Sequence, residues 1–472
     1  MLHVITDDRI EPAHFGAIAA LFAQAIHATV MHYVEDGPAG LWNEADYPEA
    51  VQHVPAAGNL LPSGLLWCER LLGSPAECTS DLASIVTRAA QEEIVLPLGS
   101  PRSPLSASSA SSAADGTDKD RGLHALLRLH TQTQHVAIRH YHVTSRNGAL
   151  CLLSVDDKTE DEEEDDNDAT KHISKDHIVD GFARCEQDRF GRWHASSDAT
   201  ARAGDEPNAD RVLSRETLPL LIVLIGSERD QRGGYPATLA ALGDAADIAG
   251  VHFTVEFVTP QTLTPQNCVE RLAHADGIVL PGGSDMSRVA GQILAARFAL
   301  ESDVPIVGLC LGMQSMATAA ARMALNSDDI GLAEVGAETP GRPYKHSFVP
   351  IHDNGTMLHH RLGDGLSRMV SGSRLHTILN NDVVSVRYNH RYTLNDELIA
   401  PLATLGVNVS AWGEDNRPAG AADAVSNALG YVDAIEAPAH RFFIGMQGHP
   451  ELSSTVGRPH PLLLAFLRAA AD

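Results

Sequence analysis

From residue 218 onwards, apolar runs of strand length alternate with segments of helical spacing. The unbroken run PLLIVLIG at 219–226 is followed by a helix-spaced segment at 235–250 and by the alternating stretch HFTVEFV. Further candidate strands and helices lie at 276–281, 287–301, 305–310, 312–326, 442–447 and 461–471. Strands that alternate with helices form βαβ units and a parallel sheet. We therefore predict an α/β fold for residues 214–472, a doubly wound, mostly parallel sheet with flavodoxin-like layers and ligands at the carboxyl ends of its strands.

The N-terminal part of the chain has a weaker periodicity. Segments 12–34 and 80–93 have helical spacing, residues 93–98 form a short apolar run, and 123–155 combines a helix-like stretch with an alternating one. We assign 1–98 and 123–155 to one additional α+β region, in which no motif indicates a function.

Two segments interrupt this pattern. Residues 100–116 are rich in Ser, Ala and Pro, and residues 156–168 hold ten carboxylates and one lysine. Neither carries enough apolar side chains to offset the entropy of ordering, so we predict a linker at 99–122 and a disordered, acidic and polar connector at 156–213. A solvated loop explains the acidic run better than a calcium site, because a calcium-binding loop needs a turn-forming glycine and alternating ligands.

The composition of the chain argues against some classes of binding partner. A chain of 472 residues can hold two or three domains, and its net charge of −26 opposes a nucleic-acid or anionic-membrane surface. We therefore expect the substrates to be small metabolites. The start of the chain lacks a basic segment followed by an apolar run, and no stretch approaches the roughly 18 apolar residues of a membrane span. We expect a cytoplasmic protein without a membrane segment.

Cysteine and histidine positions do not indicate a metal site. The six cysteines are scattered, without CxxC spacing or the density of a secreted disulfide scaffold, and they fit a reducing compartment. Five histidines crowd residues 124–142, but no Cys or acidic ligand stands near them at a fixed spacing. Surface or core histidines explain them better than a metal centre. We predict neither a metal nor a cofactor.

Three of the predicted strand ends carry residues suited to catalysis. They are Pro-Gly-Gly at 281–283, Gly-Leu-Cys-Leu-Gly at 308–312 and His-Pro-Glu at 449–451. The carboxyl ends of parallel strands meet at one edge of a sheet, so we expect these motifs to come together. In the second motif, glycines flank a tight turn that projects Cys310 at a helix N-terminus. The helix dipole and a nearby imidazole favour the thiolate, which can attack a carboxamide carbon.

The other two motifs supply the remaining groups for such an attack. His449 can act as general base and acid toward Cys310, and Glu451 can orient the imidazole. Gly282 and Gly283 leave backbone N–H groups free to approach a developing oxyanion, where one donor is worth about 3 kcal/mol. Taken alone, a Gly-x-Cys-x-Gly motif is a weak signal, because a buried cysteine at a strand end is often there for packing.

The motifs Pro-Gly-Gly, GLCLGMQ and GMQGHPE, in this order, resemble the class I glutamine amidotransferases, and most closely the glutaminase half of the CTP synthases of pyrimidine nucleotide biosynthesis. The resemblance covers about 218–471. It implies that Cys310 is the thioester-forming nucleophile and that His449 and Glu451 complete the catalytic triad. The positions that it implies for substrate binding are Gly282, Gly283, Leu311, Gln314, Glu334 and Asn389.

The side-chain chemistry supports two of these implied substrate contacts and opposes a third. An acid such as Glu334 suits the α-ammonium group of glutamine, and an amide such as Gln314 suits its polar groups. The resemblance implies an arginine clamp for the α-carboxylate where this chain has Asn389. This change is expected to weaken glutamine binding by about 1–3 kcal/mol unless Arg387 or Arg391 substitutes.

Two further departures concern the size of the pocket. The phenylalanine that the resemblance implies after the oxyanion glycines is Ser284 here, and the one before the catalytic histidine is Gly448. Losing two rings predicts a roomier pocket. Either glutamine is held differently, or the substrate is a larger γ-glutamyl compound.

Residues 1–213 contain no Gly-x-x-x-x-Gly-Lys-Ser/Thr loop for a nucleoside triphosphate, although the resemblance implies an amidoligase there. We therefore expect a glutaminase that forms glutamate and ammonia without its own amidoligase site. The ammonia would pass to a separate synthetase subunit or to an unrecognised N-terminal acceptor site. The alternatives are a γ-glutamyl hydrolase and a non-catalytic regulatory or scaffold homologue, and the sequence leaves a homo-oligomer open.

Overall fold

The computed structural model describes residues 1–7, 12–33, 63–74, 77–79, 81–99, 113–146, 149–155, 184–196, 219–283, 285–335, 345–353, 357–358, 360–413 and 430–472. The chain divides into two compact units, one within residues 1–214 and one built mainly from residues 215–472. Within the described ranges, no helix is both long enough and apolar enough to cross a membrane.

The N-terminal unit is built on one mixed sheet. Its strands are β1 (Leu2–Asp7), β2 (Thr29–Tyr33), β3 (Glu77–Thr79), β4 (Ile94–Gly99), β5 (Ile138–Arg146), β6 (Ala149–Val155), β7 (Arg184–Gln187) and β8 (Trp193–Ser196). Its helices are α1 (Pro12–Ile26), α2 (Ser63–Leu72), α3 (Leu82–Ala89) and α4 (Ala113–Gln134). The order is β3-β2-β4-β1-β5-β6-β7-β8, in which the first five strands are parallel and the last three antiparallel.

This unit contains more regular structure than its sequence pattern indicated. Helix α4 begins at Ala113, inside the segment expected to be a linker, and its first two turns are too polar to stand out as an amphipathic helix. Strands β7 and β8 lie inside the segment expected to be a disordered connector. Each has only four residues, and the Asp188 carboxylate closes their turn by accepting hydrogen bonds from the backbone N–H groups of Phe190 and Arg192, both at 2.9 Å. The acidic run at 156–168 lies outside the described residues.

The C-terminal unit contains most of the remaining elements. Its strands are β9 (Leu220–Leu224), β10 (Phe253–Phe257), β11 (Gly277–Leu280), β12 (Ile306–Leu309), β13 (Ile330–Leu332), β14 (Lys345–Pro350), β15 (His352–Asp353), β16 (Met357–Leu358), β17 (Arg361–Met369), β18 (Val383–His390), β19 (Tyr392–Leu394), β20 (Asn408–Gly413), β21 (Tyr431–Glu436) and β22 (Phe443–Met446). Its helices are α5 (Pro236–Ala249), α6 (Cys268–Leu272), α7 (Val289–Ser302), α8 (Leu311–Leu325), α9 (Arg374–Leu379), α10 (Ile399–Thr404) and α11 (Pro461–Ala471).

The main sheet of this unit has the order β10-β9-β11-β12-β22-β21-β20-β17-β18. Strands β10, β9, β11, β12 and β22 are parallel, and the other four continue the sheet in antiparallel pairs. A small sheet β13-β14-β19 and the pair β15-β16 accompany it. The predicted α/β class is confirmed. The parallel half coincides with the apolar runs predicted as strands, whereas β17, β18, β20 and β21 gave no comparable sequence signal.

Helices cover both faces of the parallel half, as a doubly wound sheet requires. On β11, Ile278 and Leu280 belong to the apolar cluster that includes α7 and α8. Gly277, which precedes Ile278 on the strand, faces α11, where a Cβ atom would lie 2.8 Å from the ring of Phe466. Because successive side chains of a strand point to opposite faces, these contacts place two helical layers on the two sides of β11.

The centre of this sheet brings the motif-bearing strand ends together. Strand β12 lies between β11 and β22, with Leu280 paired to Gly308 and Leu309 paired to Met446. The segments that follow these strands begin with Pro281, Cys310 and Gln447. The three sequence motifs therefore share one edge of the sheet.

Helix α7 depends on a glycine where it crosses the loop before α6. A Cβ atom on Gly291 would overlap the backbone carbonyl of Pro260. We predict that Gly291→Ala lowers the free energy of unfolding by about 1–3 kcal/mol, the usual range for overpacking, although alanine would otherwise favour the helix. Guanidinium unfolding of the full chain, with hydrogen exchange at α7, measures the change.

The matched control is Arg297→Ala on the exposed side of the same helix, which should change the stability by less than about 0.5 kcal/mol. A Gly291→Ala variant at least as stable as the wild type would contradict the close approach.

Candidate active site

Cys310 occupies a strained turn between β12 and α8. Its φ of 50° and ψ of −106° are unusual for a residue with a side chain, and such conformations cost about 1–3 kcal/mol. Its backbone N–H donates to the carbonyl of Met446 at 2.8 Å, and its own carbonyl accepts from the N–H of Gln314 at 3.1 Å. These two hydrogen bonds hold the turn between β22 and the first turn of α8.

The flanking glycines let the strand and the helix approach this turn closely. A Cβ atom on Gly312 would overlap the carbonyl oxygen of Leu280 on β11, and one on Gly308 would overlap the sulfur of Met316. No larger residue fits either position without moving backbone or core side chains. The Gly-x-Cys-x-Gly pattern is thus explained by the packing around Cys310.

His449 lies between Glu451 and Cys310. Its Nδ1 is 2.8 Å from Oε1 of Glu451, which is buried in the short helical turn Pro450–Ser453. The imidazole also hydrogen-bonds the Cys310 side chain. The backbone N–H of His449 donates to the carbonyl of Arg387 on β18 at 2.9 Å, so the antiparallel half of the sheet fixes the histidine.

The electrostatics of this arrangement favour a protonated imidazole. Burial alone would lower the pKa of His449, but the negative charges of Glu451 and of the Cys310 thiolate, with their hydrogen bonds, raise this pKa to about 10. The imidazole can therefore stay protonated at neutral pH beside the Cys310 sulfur, with Glu451 as the orienting carboxylate.

The glycines after β11 face this pair. A Cβ atom on Gly282 would lie 3.1 Å from Cε1 of His449 and 3.5 Å from Cβ of Cys310, and one on Gly283 would lie 3.9 Å from Cδ2 of Leu311. Side chains here would fill the space beside the thiol. Gly282, Gly283 and Leu311 thus lie together with Cys310.

Two buried amides form a hydrogen-bonded chain that ends at the Cys310 sulfur. Gln314, on the first turn of α8, donates from Nε2 to Oε1 of Gln447 at 3.3 Å. Gln447 in turn donates from Nε2 to the sulfur of Cys310 at 3.6 Å. Oε1 of Gln314 is buried and has no hydrogen-bond partner among the described residues, so it is available to a ligand.

Asn389 and Glu334 interact with different groups. The carbonyl oxygen of Asn389 is 3.9 Å from the Cys310 sulfur, and its side-chain Oδ1 accepts from Nε2 of His360 at 2.6 Å. Glu334 keeps an exposed surface and interacts with Arg391 rather than with the triad. Partial burial of its carboxyl group raises the pKa of Glu334, and the charge of Arg391 opposes that rise.

Arg387 and Arg391, the two candidates for binding the α-carboxylate of the substrate in place of residue 389, differ in their surroundings. Arg387 donates from Nε to Oδ1 of Asp364 at 3.2 Å. Arg391 is exposed and lies in the field of Glu334. Arg391 is therefore better placed than Arg387 to meet a ligand beside Glu334.

The expectation of a roomier pocket is wrong at Gly448. The space that a Cβ atom would take there is filled by Cγ1 of Val386, with the carbonyl of Arg387 at 3.1 Å and the ring of Tyr388 at 3.3 Å. The glycine therefore allows β18 to pack against the loop that carries His449. Ser284 lies outside the described residues.

A buried charged cluster behind β18 was not anticipated from the sequence. Arg361 on β17 forms an ion pair with Asp433 on β21, and the Tyr388 hydroxyl donates to the same carboxylate. The guanidinium lies 3.5 Å from the centre of the Tyr388 ring. His390 lies beside Arg361, and burial together with that charge lowers its pKa well below the usual value. No sequence motif signalled this cluster.

The contact of Gln447 with the Cys310 sulfur was also not anticipated from the sequence. It stands in the GMQGHPE stretch, one residue beyond β22, where strand ends carry functional side chains. Within the part of the chain that the structure describes, no group of three or more metal-ligating side chains occurs.

Comparisons with known proteins agree with this architecture. Residues 245–469 match the family described as glutamine amidotransferase class-I. The CTP synthase of Streptococcus pneumoniae is 32% identical over 284 residues, covering 59% of this chain and 50% of the relative. The CTP synthase of Bacteroides fragilis is 29% identical over 264 residues, covering 54% and 46%. The chain thus spans about half the length of the curated relatives it matches.

Among solved structures, the glutaminase domain of the Trypanosoma brucei CTP synthase with bound acivicin has 26% sequence identity and a TM-score of 0.46. The match covers 53% of this chain and 94% of that domain.

The raised pKa of His449 gives a pH-dependent prediction. Because this pKa of about 10 exceeds the usual 6.5, protonation of His449 stabilises the fold fully below about pH 6.5, and the contribution is lost as the pH rises to about 10. NMR of histidine-labelled protein should show the imidazole protonated at pH 7, with Glu451→Gln shifting its titration to lower pH. The His449→Asn variant assigns the resonance.

The internal control is His390, which should stay neutral across this range in both proteins because its pKa is lowered. A His449 imidazole that is neutral at pH 7 in the wild type would contradict the proposed pair.

Proposed function

Since residues 245–469 belong to the class I glutamine amidotransferase family, we propose that this chain hydrolyses glutamine to glutamate and ammonia through a thioester on Cys310. The observation that carries the proposal is the connected set of Cys310, His449 and Glu451 at one sheet edge, with the Nδ1 of His449 2.8 Å from Glu451. A nucleophile, a proton carrier and its orienting carboxylate are the groups that acyl transfer needs.

The first half-reaction releases ammonia. The Cys310 thiolate attacks the γ-carboxamide carbon, a C–S bond forms, and the carbonyl electron pair moves onto oxygen, which backbone N–H groups at Gly282 and Gly283 would stabilise. When the tetrahedral intermediate collapses, the C–N bond breaks. The His449 imidazolium gives its proton to the departing nitrogen, and ammonia leaves.

The second half-reaction regenerates the enzyme. Neutral His449 takes a proton from a water molecule as the oxygen of that water attacks the thioester carbon. Collapse of this intermediate breaks the C–S bond and returns the electron pair to the sulfur. Glutamate leaves, and the thiolate and imidazolium are restored for the next cycle.

The surroundings of the triad support recognition of an α-amino acid. The buried Oε1 of Gln314 lacks a partner within the described residues and can accept a hydrogen bond from the substrate. Glu334 can pair with an α-ammonium group, and Arg391 can meet an α-carboxylate near it. Asn389 offers a neutral amide where the resemblance implies an arginine.

Ammonia requires an acceptor, and the chain spans about half the length of the CTP synthases it matches. We propose a separate synthetase subunit as the acceptor, with a site in the N-terminal unit as the alternative. Adding ATP and UTP to the purified chain with free ammonia distinguishes the two, because conversion would place a synthetase site on this chain.

A second candidate function is hydrolysis of a larger γ-glutamyl compound. Asn389 motivates it, because a neutral side chain holds the glutamyl α-carboxylate less firmly than an arginine would, and contacts to a larger leaving group can supply the missing binding energy. The chemistry on Cys310 would be the same. Comparison of kcat/KM for glutamine and for a series of γ-glutamyl amides separates the two functions, and glutamine as the poorest substrate would favour the hydrolase.

We predict that Cys310→Ala lowers glutamine turnover by about 10⁴-fold or more, as loss of a nucleophile does in other acyl-transfer enzymes. The variant should also lose labelling by a glutamine-mimicking electrophile, which mass spectrometry detects. The matched control is Cys268→Ala, because burial raises the pKa of this structural thiol to about 11. Undiminished labelling of Cys310→Ala would refute the nucleophile assignment.

We predict that Asn389→Arg lowers the KM for glutamine by about 5-fold to 150-fold, the range that corresponds to a gain of about 1–3 kcal/mol from a charge-assisted contact. The kcat should change less, because the contact stabilises the bound substrate and the transition state equally. Steady-state kinetics with an amide that lacks the α-carboxylate is the control, and its KM should not fall. An unchanged KM for glutamine would mean that another cation already holds the carboxylate.

A further inference from the structure

Gln447 is fixed beside the sulfur of Cys310 by the pairing of β12 and β22. Leu309 pairs with Met446, and the carbonyl of Met446 accepts the backbone N–H of Cys310 at 2.8 Å. The next residue, Gln447, donates its own backbone N–H to the carbonyl of Asp433 at 2.7 Å. Its side chain is fully buried. The backbone hydrogen bonds on both sides of Gln447 therefore hold its side-chain amide beside the sulfur.

The hydrogen bonds of the Gln447 side chain define which end of the amide faces the sulfur. Its oxygen accepts from Nε2 of Gln314 at 3.3 Å, which leaves the NH₂ group to donate to the sulfur of Cys310 at 3.6 Å. An amide N–H stabilises a thiolate more than a thiol, because the acceptor is charged. The thiol proton has a separate acceptor in the carbonyl of Asn389, at 3.9 Å.

We propose that Gln447 is a catalytic residue that donates a hydrogen bond to the Cys310 sulfur and stabilises its thiolate, with Gln314 holding the Gln447 amide in the donating orientation. The inference deepens the proposed glutaminase function and rests on it for its catalytic meaning. It adds a third group at the sulfur, beside the imidazole of His449 and the carbonyl of Asn389.

The hydrogen bond to the sulfur has two opposing effects on the reaction rate, and their net effect favours turnover. A hydrogen bond to the thiolate lowers its nucleophilicity as it raises its population, but nucleophilicity changes only with a Brønsted coefficient of about 0.4–0.5. A tenfold gain in thiolate fraction therefore costs about threefold in intrinsic reactivity. In the second half-reaction, the C–S bond breaks and its electron pair returns to sulfur. The same donor then stabilises the leaving thiolate.

The test measures alkylation of Cys310 by iodoacetamide in the full chain as a function of pH, after subtraction of the reaction of Cys310→Ala. Gln447→Met keeps the length of the side chain and removes the donor. We expect the midpoint of the alkylation profile to rise by about one pH unit and the rate below the midpoint to fall several-fold. A readout of ionisation is needed because a merely structural change would not move the midpoint in a fixed direction.

The matched control is Gln292→Met. Gln292 is equally buried and hydrogen-bonds the carbonyl of Pro281 and the hydroxyl of Ser315, but it does not bond the sulfur. Its alkylation midpoint should equal that of the wild type. Gln447→Glu provides a second variant, since a carboxylate at this position repels the thiolate and should raise the midpoint further.

An unchanged midpoint in the folded Gln447 variants would overturn the proposal. A lower midpoint would also overturn it, because it would show that the amide favours the thiol. Alkylation uses no glutamine, so failure of the proposed function appears separately, as a wild-type chain that has a reactive, Gln447-dependent thiolate but does not hydrolyse glutamine.

Discussion

The parallel register of β12 and β22 is the constraint on which the candidate site depends. It pairs Leu309 with Met446 and so places Cys310 and Gln447 side by side, with His449 two residues further along. A slip of one residue would turn every side chain of β22 to the opposite face and separate these groups. The strained backbone of Cys310 persists because the hydrogen bonds to both neighbours fix it.

The antiparallel half of the sheet supplies further contacts to the site from residues outside the three motifs. The carbonyls of Arg387 and Asn389 on β18 reach the N–H of His449 and the sulfur of Cys310. Behind that strand, Arg361 and Asp433 are removed from water, which costs several kcal/mol per ion unless the charges are paired and hydrogen-bonded. Their mutual contact, the hydroxyl and ring of Tyr388 and the neutral His390 meet that requirement. The cluster joins β17, β18 and β21, and the backbone carbonyl of Asp433 accepts the N–H of Gln447 at 2.7 Å.

The sequence predicted the parallel half of the C-terminal unit well, because continuous apolar runs and helical spacing are local patterns. It also predicted that the motifs around Gly282, Cys310 and His449 would meet, since parallel strand ends share an edge. It did not predict the Arg361 and Asp433 pair, whose partners are 72 residues apart and belong to no motif. Gln447 escaped notice because its importance comes from the register of two strands. In the N-terminal unit, short strands such as β3, β7 and β8 are below the length at which periodicity can be recognised.

The packing at Gly448 constrains how this protein can evolve. Val386 and Tyr388 already occupy the volume that a side chain at position 448 would need. An aromatic ring can enter there only if position 386 becomes smaller, and each change made alone would leave either an overlap or a cavity. The two positions therefore form an epistatic pair, in which the order of substitutions matters. A lineage that acquired Val386 first would retain the glycine, even under selection for an aromatic wall beside the substrate.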